Sequence, residues 1–216
     1  MNYMENLVGL SHNRWRSLAM QELEKLERGK FYHIYNRGNN KEDIFIEERN
    51  YDYFLRQYQK YVTPIADTFA YCLMKNHFHL LIRVKTREVS PNISSARPHG
   101  SDVSQQFSNF FNSYAKSINK MYGRIGSLFQ ERFRRKEVSG IDSLKVVVQY
   151  IHTNPQSHMF VEDFRLYPYS SYQGIARRES SFLLSDEVLS WFGGQEEFER
   201  YHLYNPDPRG LTGNFS

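Results

Sequence analysis

Residues 65–74 and 77–84 are two runs rich in aliphatic and aromatic side chains, with only Lys75 and Asn76 between them. So short a connection joins antiparallel strands, because a parallel return needs a crossover of about a dozen residues or more. The chain is thereby committed to an antiparallel sheet that its other elements must extend or cover. Residues 30–37 (KFYHIYNR) alternate apolar and polar side chains and read as a further strand, closed by the turn Gly38-Asn39-Asn40. Residues 47–61 place Tyr51, Phe54, Leu55, Tyr58 and Tyr61 at helical spacing, and Pro64 follows as a stop. Residues 85–104, rich in Ser, Pro, Asn and Gly, read as a connector. Residues 105–122 then put Phe107, Phe110, Phe111, Tyr114 and Ile118 on one helical stripe, broken at residues 123–126. Residues 132–139 read as a basic strand. Residues 142–152 read as a helix despite Val146-Val147-Val148, with Asn154-Pro155 as its expected end. The order strand, helix, strand, strand, helix, strand, helix fits an α+β fold, an antiparallel sheet with helices packed on one face.

A length of 216 residues suits one core with additions. Hydrophobic residues at 40% and aromatics at 16% exclude a disordered chain. No run reaches the roughly 18 apolar residues of a membrane span. The first thirty residues carry Glu22, Glu24 and Glu27 without an apolar stretch, unlike a secretory signal. The single cysteine, Cys72, leaves no partner for a disulfide and no multi-cysteine zinc cage, so the expected compartment is cytoplasmic. The net charge of +4 is unevenly spread. Residues 114–136 hold seven basic side chains against one acid, whereas residues 179–200 hold six acids against one base. One basic face, suited to a polyanion, is expected. A solvated helix and turn would carry the same charges.

Two constellations can do chemistry. On a strand His77 and His79 point the same way, with Phe78 opposite, and lie about 7 Å apart, close enough to converge on one ion. An exposed pair on a solvated strand face has the same pattern and is commoner. Tyr150 and Asn154, four apart on a helix, share one face, offering a phenol as nucleophile and a carboxamide oxygen as a hard ligand. That spacing fits equally well a packed Tyr150 with Asn154 capping the helix before Pro155.

The words around these residues are MKNHFHLLI (74–82), YNRGNNKEDIF (35–45), INKMYGRIGSLFQERFRRK (118–136) and YIHTNP (150–155), followed by YPYSSY (167–172). In order and spacing they resemble the HUH-type single-tyrosine transposases, and within these the REP-associated tyrosine transposases of bacteria. The resemblance covers residues 30–175, which it implies are the catalytic domain. It leaves residues 1–29 as an N-terminal arm and residues 176–216 as an acidic helical extension.

The resemblance implies a ferredoxin-like or RRM-like core. It makes His77 and His79 metal ligands, Tyr150 the nucleophile and Asn154 the third ligand, where many relatives carry the longer Gln. The implied cofactor is Mg²⁺ or Mn²⁺. The implied reaction is cleavage of single-stranded DNA near a hairpin through a 5′-phosphotyrosine, in a bacterial, nucleoid-associated protein acting as a monomer or homodimer. Imidazoles alone would suit Zn²⁺, Ni²⁺ or Cu²⁺ as well. Arg124, Gln130, Arg132, Arg134, Arg135 and Lys136 are the main candidates for DNA contact, with Arg37 beside them. Arg135 should point away from Arg132 and Arg134. Tyr35 and Phe129 are candidates for stacking on bases. A nucleic-acid-binding module of the same fold with an inactive site, or a structural protein in which these side chains only pack, are the competing readings.

Overall fold

The computed structural model describes residues 25–86 and 103–204, so the arm expected over residues 1–29 and the connector over 85–104 lie largely outside the described residues. Strands β1 (Phe31–Arg37), β2 (Ala66–Met74), β3 (His77–Val84) and β4 (Arg134–Val138) form one antiparallel sheet in the order β2-β3-β1-β4. Met74 pairs with His77, which leaves Lys75 and Asn76 as the two-residue loop of the hairpin. In the central pair Arg37 lies opposite His77, Tyr35 opposite His79 and His33 opposite Leu81.

One face of the sheet presents Tyr32, Ile34, Phe78, Leu80 and Ile82, all buried, to α1 (Glu48–Tyr61) and α2 (Val103–Met121). Helix α1 buries Tyr51, Phe54 and Tyr58 on one stripe, and α2 buries Phe107, Phe110, Phe111, Tyr114 and Ile118. Each such ring removed from water stabilises the fold by roughly 1.5–3 kcal/mol. Asn50 fixes where α1 begins. Its Oδ1 accepts from the backbone N–H groups of Ile46 and Glu47, both at 2.9 Å, and its Nδ2 donates to the Tyr122 hydroxyl at 3.0 Å, just past the end of α2.

The opposite face carries a second core, against which α3 (Ile141–Ser157), α4 (Tyr172–Ala176), α5 (Ser185–Phe192) and α6 (Gln195–Tyr204) pack. The α+β antiparallel sheet is therefore as expected, but helices cover both of its faces and not one. The reason lies in β2 and β3, where Ala70, Cys72, Met74 and Leu81 make the second face apolar too. A bulge between Thr68 and Ala70 permits this. Thr68 bonds the Tyr58 hydroxyl on the α1 side at 2.7 Å, whereas Ala70 and Cys72 belong to the α3 side. Without the inserted residue, all even positions would face one way.

Helix α3 also departs from expectation, running through Asn154-Pro155 to Ser157. Proline removes its own N–H and crowds the Ile151 carbonyl one turn back, but leaves the N–H groups that follow it free to bond. The helical pattern returns at His158, whose N–H bonds Asn154 O at 3.0 Å, and the end is then closed by Phe160 N–H on Pro155 O at 2.8 Å, beyond the left-handed Met159. The basic strand starts at Arg134, two residues later than expected, and Arg132 stays in the loop before it. Among the described residues no helix is long and apolar enough to cross a membrane.

A buried hydrogen-bonded relay ties α3 to α6. The Phe198 carbonyl can only accept, so His202 Nδ1 donates to it at 2.7 Å. His202 Nε2 then accepts from His152 Nδ1 at 2.9 Å, and His152 Nε2 meets the Ser171 hydroxyl at 2.8 Å, sharing its one hydrogen with the Tyr71 carbonyl at 3.1 Å. Ser171 in turn accepts from the Tyr71 N–H of β2 at 2.8 Å. Such a relay needs both imidazoles neutral. Burial pushes His202 down to about 4, and burial with the neighbouring His202 holds His152 well below its ordinary value. Because these values are depressed on folding, the unfolded chain takes up protons first as pH falls below about 6.5. Stability is then lost at roughly 1.4 kcal/mol per pH unit for each such histidine until the folded value is reached. Urea unfolding should show a midpoint that drops steeply between pH 7.5 and pH 5, and more gently in a His152→Phe, His202→Phe double variant.

Candidate active site

Three elements deliver the side chains. Strand β3 places His77 and His79 on the α3 face, β1 places His33, Tyr35 and Arg37 beside them through its register, and α3 lays Tyr150 over both strands. The Tyr150 ring meets His79 edge-on with centroids 5.4 Å apart, and His33 likewise at 5.9 Å. The tyrosine and the histidine pair thus meet within one chain. They line a cavity of about 410 Å³ together with Tyr35, Arg37, Gln130, Arg134 and His158. Its floor is imidazole and phenol, and its rim carries Arg37, Arg134 and amides together with one acid, Glu131, which pairs with Arg134.

The histidines are not the source of positive charge. Burial is the main cause that lowers His77 to about 4, with His158 and Arg37 pushing the same way and the Asn154 side chain opposing. Burial, then the neighbouring His33, His77 and His158, holds His79 well below its ordinary value. Both rings are therefore neutral at pH 7, each with a lone pair to give. His77 uses Nδ1 on Asn76 Oδ1 at 2.7 Å, and His79 uses Nδ1 on His33 Nε2 at 2.9 Å. In both cases Nε2 is left for the cavity.

Asn154 does not line the cavity, but its side chain lies beside His77. Its Nδ2 donates to Tyr150 O at 3.3 Å, but its Oδ1 is buried beside the His77 ring without a well-formed hydrogen bond. An orphaned acceptor of this kind costs about 1–3 kcal/mol unless a ligand uses it. Among the described residues no three His, Cys, Asp or Glu side chains converge as a metal site, so a cation here would depend on this amide oxygen as third donor. Two imidazole nitrogens with fixed Nδ1 partners and one unsatisfied amide oxygen fit a divalent ion.

Of the residues expected at DNA, Arg37, Gln130 and Arg134 reach the cavity rim. Gln130 is held there because its N–H bonds Arg37 O at 3.0 Å while Asn36 Nδ2 bonds Glu131 O at 3.1 Å, which lays the 129–131 segment along the end of β1. Lys136 is exposed on β4 opposite His33. Arg132 is exposed outside the cavity lining. Arg124 is engaged elsewhere, in an ion pair with Glu42 that joins the loops after α2 and β1. Arg135 lies over the Phe133 ring, 4.4 Å from its centroid, and bonds Ser104 Oγ at 2.7 Å, on the α2 side of the sheet. Tyr35 lines the cavity, but Phe129 is a core residue packed on Phe111 and Phe78, and its bridge to Gly38 turns it inward. His33, Asn76, His158 and Phe160 belong to the site and are absent from the sequence-based set. The alternation of residues 30–37 does put His33 on the face of Tyr35 and Arg37, yet its neighbour His79 is fixed only by strand pairing.

No family model matches the chain, and no curated protein does. Among solved structures, a REP-associated tyrosine transposase bound to a REP hairpin matches with a TM-score of 0.54. The chain shares its fold. The match covers 77% of this chain and 90% of the other at 16% identity.

If Asn154 Oδ1 is kept unsatisfied for a ligand, filling its place with an apolar isostere should relieve the fold. Asn154→Leu is expected to be as stable as the wild type or more so, by on the order of 1 kcal/mol in urea unfolding. A loss of more than about 2 kcal/mol would show that Asn154 serves packing instead.

Proposed function

We propose that this protein is a metal-dependent single-stranded DNA endonuclease and strand-transferase that acts near DNA hairpins with Tyr150 as nucleophile. The observation that carries this reading is Tyr150 edge-on to His79 in a cavity floored by a neutral histidine pair and rimmed by Arg37 and Arg134. The shared fold with a hairpin-bound tyrosine transposase agrees with it.

The cavity admits an extended strand more readily than a duplex, since its reactive groups lie at the floor. Arg37 and Arg134 meet the phosphates on either side, and Gln130 and Tyr35 offer an amide and a ring face to unpaired bases. Tyr150 Oη attacks the phosphorus. The new Oη–P bond replaces the P–O3′ bond, the phenolic proton passes to water, and the departing O3′ takes up a proton to become a hydroxyl. Because the 5′-phosphotyrosine retains the phosphodiester's bond energy, a 3′-hydroxyl can reverse the step without ATP. A Mg²⁺ or Mn²⁺ ion held by His77, His79 and Asn154 would supply Lewis-acid neutralisation of the phosphate's non-bridging oxygens. The packing of α3 on the second core holds the Tyr150 ring against His79 and His33.

The test is covalent capture. A single-stranded oligonucleotide carrying a hairpin and a flanking single strand should give a protein-DNA adduct that resists denaturing electrophoresis. Tyr150→Phe and chelation should each abolish it. An adduct that survives Tyr150→Phe and disappears on mutation of another tyrosine would reject the assignment. Hairpin binding without cleavage across substrates and metals would favour the inactive-module reading. Binding should weaken with salt, and Arg134→Ala should reduce the slope of log K against log salt by about 0.7 if its guanidinium meets a phosphate.

A further inference from the structure

His33 takes no part in the proposed chemistry, yet it is bonded directly to a residue that does. It is fully buried in mid-strand, where a polar ring needs a reason to be. Its Nε2 lies 2.9 Å from His79 Nδ1, and the two rings are nearly parallel, 19° between planes with centroids 5.1 Å apart. Tyr35 stacks on it at 4.9 Å and Tyr150 meets it edge-on at 5.9 Å, so the ring is held from two further sides.

A neutral imidazole carries one N–H and one lone pair, and the bond made by one nitrogen decides what the other presents. We infer that His33 is a positioning residue whose Nε2 accepts the Nδ1–H of His79, fixing His79 in the tautomer that turns an Nε2 lone pair to the cavity. This rests on the reading of His79 as a cation ligand. In the opposite arrangement His33 would donate, and His79 would offer the cavity an N–H, which repels a cation. The arrangement of the neighbouring histidine favours the first. His77 is set in the same sense by Asn76 Oδ1, an atom that can only accept. The pair therefore presents the same nitrogen twice, once through an amide and once through a buried imidazole.

Long-range ¹H–¹⁵N correlation of the ring nitrogens in the metal-free protein at pH 7.5 reads the tautomers directly. His79 is expected as Nδ1–H in the wild type and as Nε2–H in His33→Phe, with His33→Gln restoring Nδ1–H because its amide oxygen can accept. Mn²⁺ titration followed by EPR should show binding weakened about 10- to 100-fold in His33→Phe and restored in His33→Gln. An Nε2–H His79 in the wild type overturns the inference whether or not either variant folds. An unchanged His79 in folded His33→Phe overturns it too. If the tautomer follows His33 but the wild type binds Mn²⁺ no better than His79→Ala, the positioning role stands and the metal reading of the site fails.

Discussion

The antiparallel register of β1 on β3 is the constraint on which the rest of this structure depends. It sets Arg37 against His77, Tyr35 against His79 and His33 one step further on, so the polar side chains of two strands gather at one end of one face. A slip of one residue would send His33, Tyr35 and Arg37 into the α1–α2 core and turn Tyr32 and Ile34 toward α3. Those apolar side chains, sealed under Phe54 and Phe110, hold the register by the cost of exposing them. The aromatic core on one face is thus what aligns the imidazoles on the other.

The second core has a comparable part. The relay from Tyr71 through Ser171, His152 and His202 to Phe198 crosses from the sheet to the last described helix, passing through the helix that carries Tyr150. At the far end of β3, Arg83 lies over the rings of Phe31 and Phe69 and is bonded twice by Glu187 of α5. Acidic side chains of residues 179–200 are spent on contacts of this kind, with Asp186 on Arg178 and Glu197 on Arg200. None of these acids lines the cavity, where Arg37 and Arg134 stand with one acid, Glu131, paired to Arg134.

Local signals in the sequence were strong enough to give the hairpin at Lys75-Asn76, the strands around it and the stripes of α1 and α2, because each is a matter of period and turn chemistry. The shared face of His77 and His79 follows from the same alternation. What could not be read was what depends on distant pairing. His33 becomes a neighbour of His79 only across two strands, 46 positions apart. The cover on the second face rests on a single inserted residue between Thr68 and Ala70, which a count of alternation passes over. Arg124 and Arg135 look like their basic neighbours in the chain, and only the fold turns one to Glu42 and the other to Phe133. Asn154-Pro155 resembles a stop signal, but in the last turn of a helix packed along its length the missing N–H costs too little to end it.

Tyr150 reaches the histidine pair of its own chain. The assembly of this site is therefore unimolecular: dilution cannot take it apart, and no second copy is needed to bring phenol and imidazole together. Any chemistry performed there by the isolated chain would rise with the first power of protein concentration.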